Sequence, residues 1–276
     1  MINKYFTVEV KPLIDASLLN AAALASDDDV IFSWTPFEVP KGSSRLLNVT
    51  AKVASNDGTA QHHPFQLFFA KSKLNATTGH IEAPTSIGSF NTTATSQPSI
   101  NEFLGGLKIE TIDYMCQSLV GTSIASTGNS VAANGSNITM VLTPEGTPAD
   151  KYWDGSDWVA ITPGYDILWV AGIACGAMNF ASTVTTDGVV EAGTTTTVHT
   201  DTKDANLVFS VGDVIQEVDN TIIGTITSIG AATGADVDIT VDRGSAGKDS
   251  PGAQGIADGV KIYHRSPIKL VLSFEK

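Results

Sequence analysis

The feature that most restricts this chain is the two-residue period of its apolar side chains. From Arg45 to Val53, Leu47, Val49, Ala51 and Val53 fall on one side and Leu46, Asn48, Thr50 and Lys52 on the other. A strand puts successive side chains on opposite faces, so this is the pattern of a sheet with one buried side. Asn56-Asp57-Gly58 supplies the turn that ends it. Pro64 to Ala70 repeats the pattern, with Phe65, Leu67 and Phe69 against Gln66 and Phe68. Similar segments predict strands over Lys4–Val10, Val30–Trp34, Ile138–Leu142, Asp157–Ile161, Ile167–Cys175, Met178–Val184 and Ile268–Phe274. Helical spacing is confined to Asp15–Ala25, opened by a capping Asp, and to one turn at Ser99–Leu104. The expected fold is an all-β, antiparallel, jelly-roll-like β-sandwich, and 276 residues are enough to give it a substantial core.

Charge divides the chain. Between residues 186 and 259 there are twelve acidic and three basic residues, a net of −9, whereas the remainder carries −4. Strand signals within this segment, at Leu207–Phe209, Asp213–Val218, Thr221–Ile229 and Val237–Val241, with Asp219-Asn220 as a tight turn, predict a small acidic β-barrel or sheet. The strand-like tail that follows implies an insertion: residues 1–185 and 262–276 form the sandwich, and 186–261 the inserted module.

The total charge of −13 excludes a general nucleic-acid binder, because neutralising phosphates takes a basic face. The longest apolar run, Ile167 to Met178, has 12 residues and two glycines, short of the roughly 20 a membrane helix needs. No membrane association is expected. The N-terminus alternates like a strand and has no signal-peptide core. Cys116 and Cys175 read as two buried thiols, and the Asn-x-Ser/Thr triplets at Asn48, Asn75, Asn91, Asn134 and Asn137 as products of composition.

Chemistry-bearing constellations are few. His62 and His63 are adjacent and face opposite ways in a strand, so they cannot chelate one ion together. His80 and Glu82 share a face at i, i+2, but no P-C-x-x-C accompanies them, and they read as a surface pair. His199 and His264 have no orienting partner in the sequence, and Asp27-Asp28-Asp29 reads as a solvated loop. Asp236, Asp238 and Asp242 form the outer face of a strand whose inner face is Val237, Ile239 and Val241. No nucleophile elbow, phosphate loop or calcium loop is present. No catalytic residue, metal or cofactor is therefore assigned.

The most specific local signal is Tyr152-Trp153-Asp154-Gly155-Ser156-Asp157-Trp158. Trp153 and Trp158 bracket a four-residue turn, so a hairpin brings them together as a cross-strand aromatic pair. The sharper alternative is a glycan platform made of Trp153 and Trp158 with Asp154 and Asp157 beside them.

This phrase resembles the Trp-Asp-Gly-x-x-Trp hairpins of tailed-bacteriophage virion proteins. Val211-Gly212-Asp213-Val214-Ile215, Ile223 to Ile229 and Asp238-Ile239-Thr240-Val241 are similar to small barrel domains inserted in such proteins. The resemblance implies a non-enzymatic structural protein of the head decoration or cement type, made in the host cytoplasm and exposed on the released virion. Its partners would be the major capsid protein or other virion proteins. A homo-oligomer, with a trimer the first expectation, suits local three-fold positions of a shell. Only 16% of residues are charged, which fits permanent interfaces, since their cores are depleted of Lys, Glu and Asp. The alternative is a tail or baseplate protein binding host-surface glycans.

Overall fold

The computed structural model describes residues 4–14, 19, 28–54, 57–59, 61–90, 93–94, 102–114, 122–126, 140–142, 151–154, 156–178, 180–193, 195–202, 205–219, 221–234, 236–244 and 255–276. In its first half the strands are β1 (Tyr5–Val10), β2 (Val30–Pro40), β3 (Ser44–Ala54), β4 (Phe65–Lys71), β5 (Lys73–Leu74), β6 (Ile81–Glu82), β7 (Phe103–Ile109), β8 (Thr122–Ser126) and β9 (Met140–Leu142). The second half adds β10 (Lys151–Trp153), β11 (Trp158–Ala160), β12 (Tyr165–Ala174), β13 (Thr195–Thr200), β14 (Val214–Gln216), β15 (Ile222–Ile229), β16 (Val237–Asp242), β17 (Tyr263–His264) and β18 (Ile268–Glu275).

Two antiparallel sheets make the sandwich, one in the order β1-β18-β3-β8 and the other β2-β12-β4-β7. β9 adds to the first by pairing with the start of β3. Counting only these eight strands along the chain, the orders are 1-8-3-6 and 2-7-4-5. That interleaving is a jelly roll, in which two Greek keys wrap around one core. Val49, Ala51, Leu270, Leu272 and Phe274 from the first sheet meet Phe32, Phe65, Phe69, Leu168 and Val170 from the second, all fully buried. Burial of each such large side chain contributes roughly 1.5–3 kcal/mol. Phe37 ties the sheets together, lying 6.3 Å from Phe274 and 6.4 Å, edge-on, from Phe69.

β12 is buried along almost its whole length, which explains its unbroken apolar sequence. Its second face does not meet water. A short four-stranded sheet, β11-β10-β6-β5, covers it, and Trp34, Ile81, Tyr152, Trp169 and Ile173 form a third layer there. The two buried indoles in this region are satisfied: Trp34 Nε1 donates to Thr85 O at 2.9 Å and Trp169 Nε1 to Ser72 Oγ at 2.8 Å.

Between β12 and β18 the chain builds a five-stranded sheet, β13-β16-β15-β14-β17, over a core of its own that includes Val184, Val198, Ile215, Ile226, Ile239, Val241 and Ile262. Arg243 is buried there and donates to the carbonyls of Ile223 (Nε, 2.9 Å) and Glu191 (2.7 Å). Val184 and Ile262 belong to this core, and β17 extends the sheet to His264, slightly beyond the boundaries expected from composition.

Several local expectations are corrected. Leu207–Phe209 is not a strand, because Ala205–Val208 forms a single helical turn that packs Ala205 and Val208 inward. Among the described residues of the Met178–Val184 segment, Met178 and 180–184 include buried side chains but form no strand, and Asn179 lies outside the described residues. Phe103 and Leu104 open β7 and are not helical, while residues 99–101 lie outside the described residues. The Asp15–Ala25 helix also lies outside them except for buried Leu19, as do Cys116, Asp27 and residues 138–139. In β3 it is Leu46 that is buried, with Leu47 only half-buried, because the register against β18 shifts between Ser273 and Phe274. An extra residue at such a bulge switches faces on one side of it.

Candidate functional site

The Trp hairpin sits on the small sheet that covers β12. β10 and β11 pair antiparallel with Trp153 opposite Trp158, and β10 runs parallel to β6, placing Trp153 level with Glu82. Alternation along β10 turns Tyr152 inward, where its ring meets Trp169 edge-on at 5.5 Å, and leaves Lys151 and Trp153 on the outer side. The hairpin is thus anchored through Tyr152 while its two tryptophans face outward.

The turn is held by Asp154. Its Oδ1 accepts from Asp157 N (2.7 Å), Ser156 N (2.8 Å) and Ser156 Oγ (3.0 Å). Bonds from the backbone N–H groups of Asp157 and Ser156 hold this exposed carboxyl below its usual range. Asp154 is therefore a turn residue first. Asp157 is exposed beside it.

A third ring joins the pair. His80, just before β6, lies 4.4 Å from Trp158 and 5.7 Å from Trp153, and the two indoles are 5.5 Å apart at 73°. Lys151 Nζ stands 4.6 Å from the centre of the Trp158 ring, a cation–π contact. Glu82 is 4.0 Å from His80 Nδ1 and accepts from Asn75 Nδ2 at 3.0 and 3.2 Å. Trp158 remains 39% exposed, enough for part of its surface to meet a ligand. An apolar aromatic surface bordered by an ammonium, an amide and carboxylates suits a polyol, whose C–H groups lie on rings and whose hydroxyls find donors and acceptors at the edge.

Of the residues singled out in the sequence, Trp153 and Trp158 are brought together, Asp154 is used by the turn, and His80 and Glu82 join the cluster. Lys151 was not singled out, although its place two residues before Trp153 and opposite Ala160 puts it on the outer face. His199 pairs with Asp238 at 2.6 Å on the exposed face of the module. His264 is buried, with Nε2 donating to Val208 O at 2.8 Å and Nδ1 3.5 Å from Asp213. Among the described residues no three His, Cys, Asp or Glu side chains are grouped to hold a metal ion, and no helix is long and apolar enough to cross a membrane.

No family model matches the sequence. No curated protein matches it either. Among solved structures, that of infectious bursal disease virus, Gx strain, aligns with the whole of this chain and 41% of that one at 9% identity, with a TM-score of 0.13. So poor a superposition shows no shared fold.

Proposed function

We propose that this chain is a non-enzymatic structural protein of a virus particle, a decoration or cement protein bound to the outer surface of the head. The observation that carries the reading is the 1-8-3-6 and 2-7-4-5 strand order with a separate acidic sheet inserted before the last strand. Jelly rolls serve in capsid and lectin domains, so this step is one of fold analogy, joined to the resemblance of the Trp hairpin and the inserted-barrel phrases. Bare apolar side chains give the reading further support: Tyr5, Leu13 and Val141 are more than half exposed on or near the sheet that holds β1 and β9. Binding to the shell would stabilise folded subunits by mass action. The test is to add the purified chain to undecorated expanded heads. Saturable binding at a symmetric stoichiometry, with a raised temperature of head disruption, is expected. Heads of unchanged heat resistance would count against cementing.

The contact of His80 with both tryptophans favours a second reading, a tail or baseplate protein that binds host-surface glycans through Trp153 and Trp158. Glycan-array binding that disappears in Trp153→Ala would select it, and a blank array would remove it.

A further inference from the structure

A groove of about 480 Å³ crosses the outer face of the β1-β18-β3-β8 sheet and is completed by residues 210–213 of the inserted module. Its floor holds an unusual row of charge. Lys269 is directly opposite Lys52 in the β18–β3 ladder, Lys52 is opposite Ile124 in β3–β8, and Lys11 follows Val10, whose partner in β18 is Leu270. All three lysines line the groove. Like charges directly across a ladder destabilise a sheet, so this row calls for anions.

The chain supplies two. Glu9 pairs with Lys11 at 2.6 Å, and Asp213, reaching over from the module, pairs with Lys269 at 2.5 Å. Lys52 is exposed and acts on Glu9 only through space. Three cations against two anions leave one positive charge in the groove of a molecule whose total is −13. Beside Thr122, Ser210 and Gly212, the rest of the lining is the apolar set Ala54, Ile124, Val211 and Pro267, with Val211 64% exposed. A bare inorganic anion would satisfy Lys52 and leave that apolar surface wet. Three strand spacings of about 4.8 Å make the groove roughly 14 Å long, the length of about four extended residues.

We infer that this groove docks an extended segment of a partner protein, about four residues long, that brings one carboxylate to Lys52 and an aliphatic side chain to Ile124 and Val211. The inference does not rest on the virion reading and identifies the partner by this chemistry alone. It is tested on the full, isotope-labelled chain by titrating the blocked peptide Val-Glu-Val-Ala and its Val-Gln-Val-Ala counterpart at millimolar concentration while following backbone amide shifts. The glutamate peptide is expected to move the amides of residues 52–54, 122–124, 210–213 and 269, and the glutamine peptide to bind more weakly. Lys52→Ala, an exposed change that leaves the core untouched, is expected to weaken binding roughly fivefold, the scale of a partly exposed ion pair. Lys108→Ala, on the other sheet, is expected to change nothing. Equal binding of the two peptides, or no shifts in the groove, overturns the inference. Light scattering that shows an oligomer dissolved by Lys52→Glu would assign the groove to a second copy of this chain and overturn a separate partner.

Discussion

Gly172 lies in β12 where the ladder to β2 changes register on either side of it, opposite Phe32. The Phe32 ring occupies the space a side chain would need: a Cβ added to Gly172 would lie 2.2 Å from Cε1, 2.6 Å from Cζ and 2.8 Å from Cδ1 of that ring. Carbon atoms in contact sit about 3.5–4.0 Å apart, so the ring would have to withdraw by at least ~1.3 Å. Phe32 is fully buried in the sandwich core and has nowhere to go without moving its neighbours. Overpacking of this kind costs about 1–3 kcal/mol, while replacing glycine by alanine returns about 0.4–1 kcal/mol by stiffening the unfolded chain. Three overlapping ring atoms put Gly172→Ala at the severe end, a net loss of about 2 kcal/mol. For a domain of this size that lowers Tm by about 4–8 °C. Urea and thermal unfolding of Gly172→Ala, Phe32→Leu and the double variant would measure it. Removing the ring makes room for the methyl group, so the double variant should be at least about 1 kcal/mol more stable than the sum of the single losses predicts. A Gly172→Ala protein within about 0.5 kcal/mol of the parent, or strictly additive losses, would falsify the packing described here.

Burial is the main cause that lowers the His264 pKa, opposed in part by Asp213, so the folded ring stays neutral below the pH at which a free histidine, with pKa near ~6.5, takes up its proton. The unfolded chain then binds the extra proton. Stability should fall as pH drops through about 6.5, by up to about 1.4 kcal/mol per pH unit, until the lower folded pKa is reached, and be unaffected by this group above that range. His264→Gln should flatten the slope in urea titrations between neutral and mildly acidic pH, and an unchanged slope would exclude this assignment. Arg243→Met removes the donor to the Ile223 and Glu191 carbonyls and should cost roughly 2–3 kcal/mol, seen as faster amide exchange in the module with the jelly roll unchanged. Trp153→Ala should cost roughly 0.5–1.5 kcal/mol and abolish the exciton couplet of paired indoles in circular dichroism, and a couplet that persists would mean the two rings are not coupled.

The sandwich was legible wherever one face of a strand is apolar and the other wet, as at Phe65, Leu67 and Phe69 of β4. It was hidden in edge strands, which depart from that division. β2 continues to Pro40 through Pro36, which a local reading takes as a stop. The strand is at the edge of its sheet, where a missing N–H costs no ladder bond. β7 carries Gly105-Gly106 and is also an edge, and β13 has threonine at four of its six positions, so neither shows alternating hydrophobicity. The Trp153–Trp158 pair follows from a four-residue turn, but the approach of His80 does not. It depends on β6 lying beside β10, some 70 residues apart in sequence, and only the folded chain brings them together. The lysine row is equally invisible, since Lys11, Lys52 and Lys269 meet only through the ladders that flank β18.

The central place of β18 has a consequence for how this polypeptide matures. It comes after the other described strands in the chain, yet it fills the slot between β1 and β3. Until it arrives, those two strands present facing rows of unpaired amides and carbonyls across a gap, and the acidic module must be made first. Nascent chains should therefore hold a completed inserted sheet beside an unfinished sandwich, and deleting part of β18 should be far more damaging than removing the same number of residues from an exposed loop.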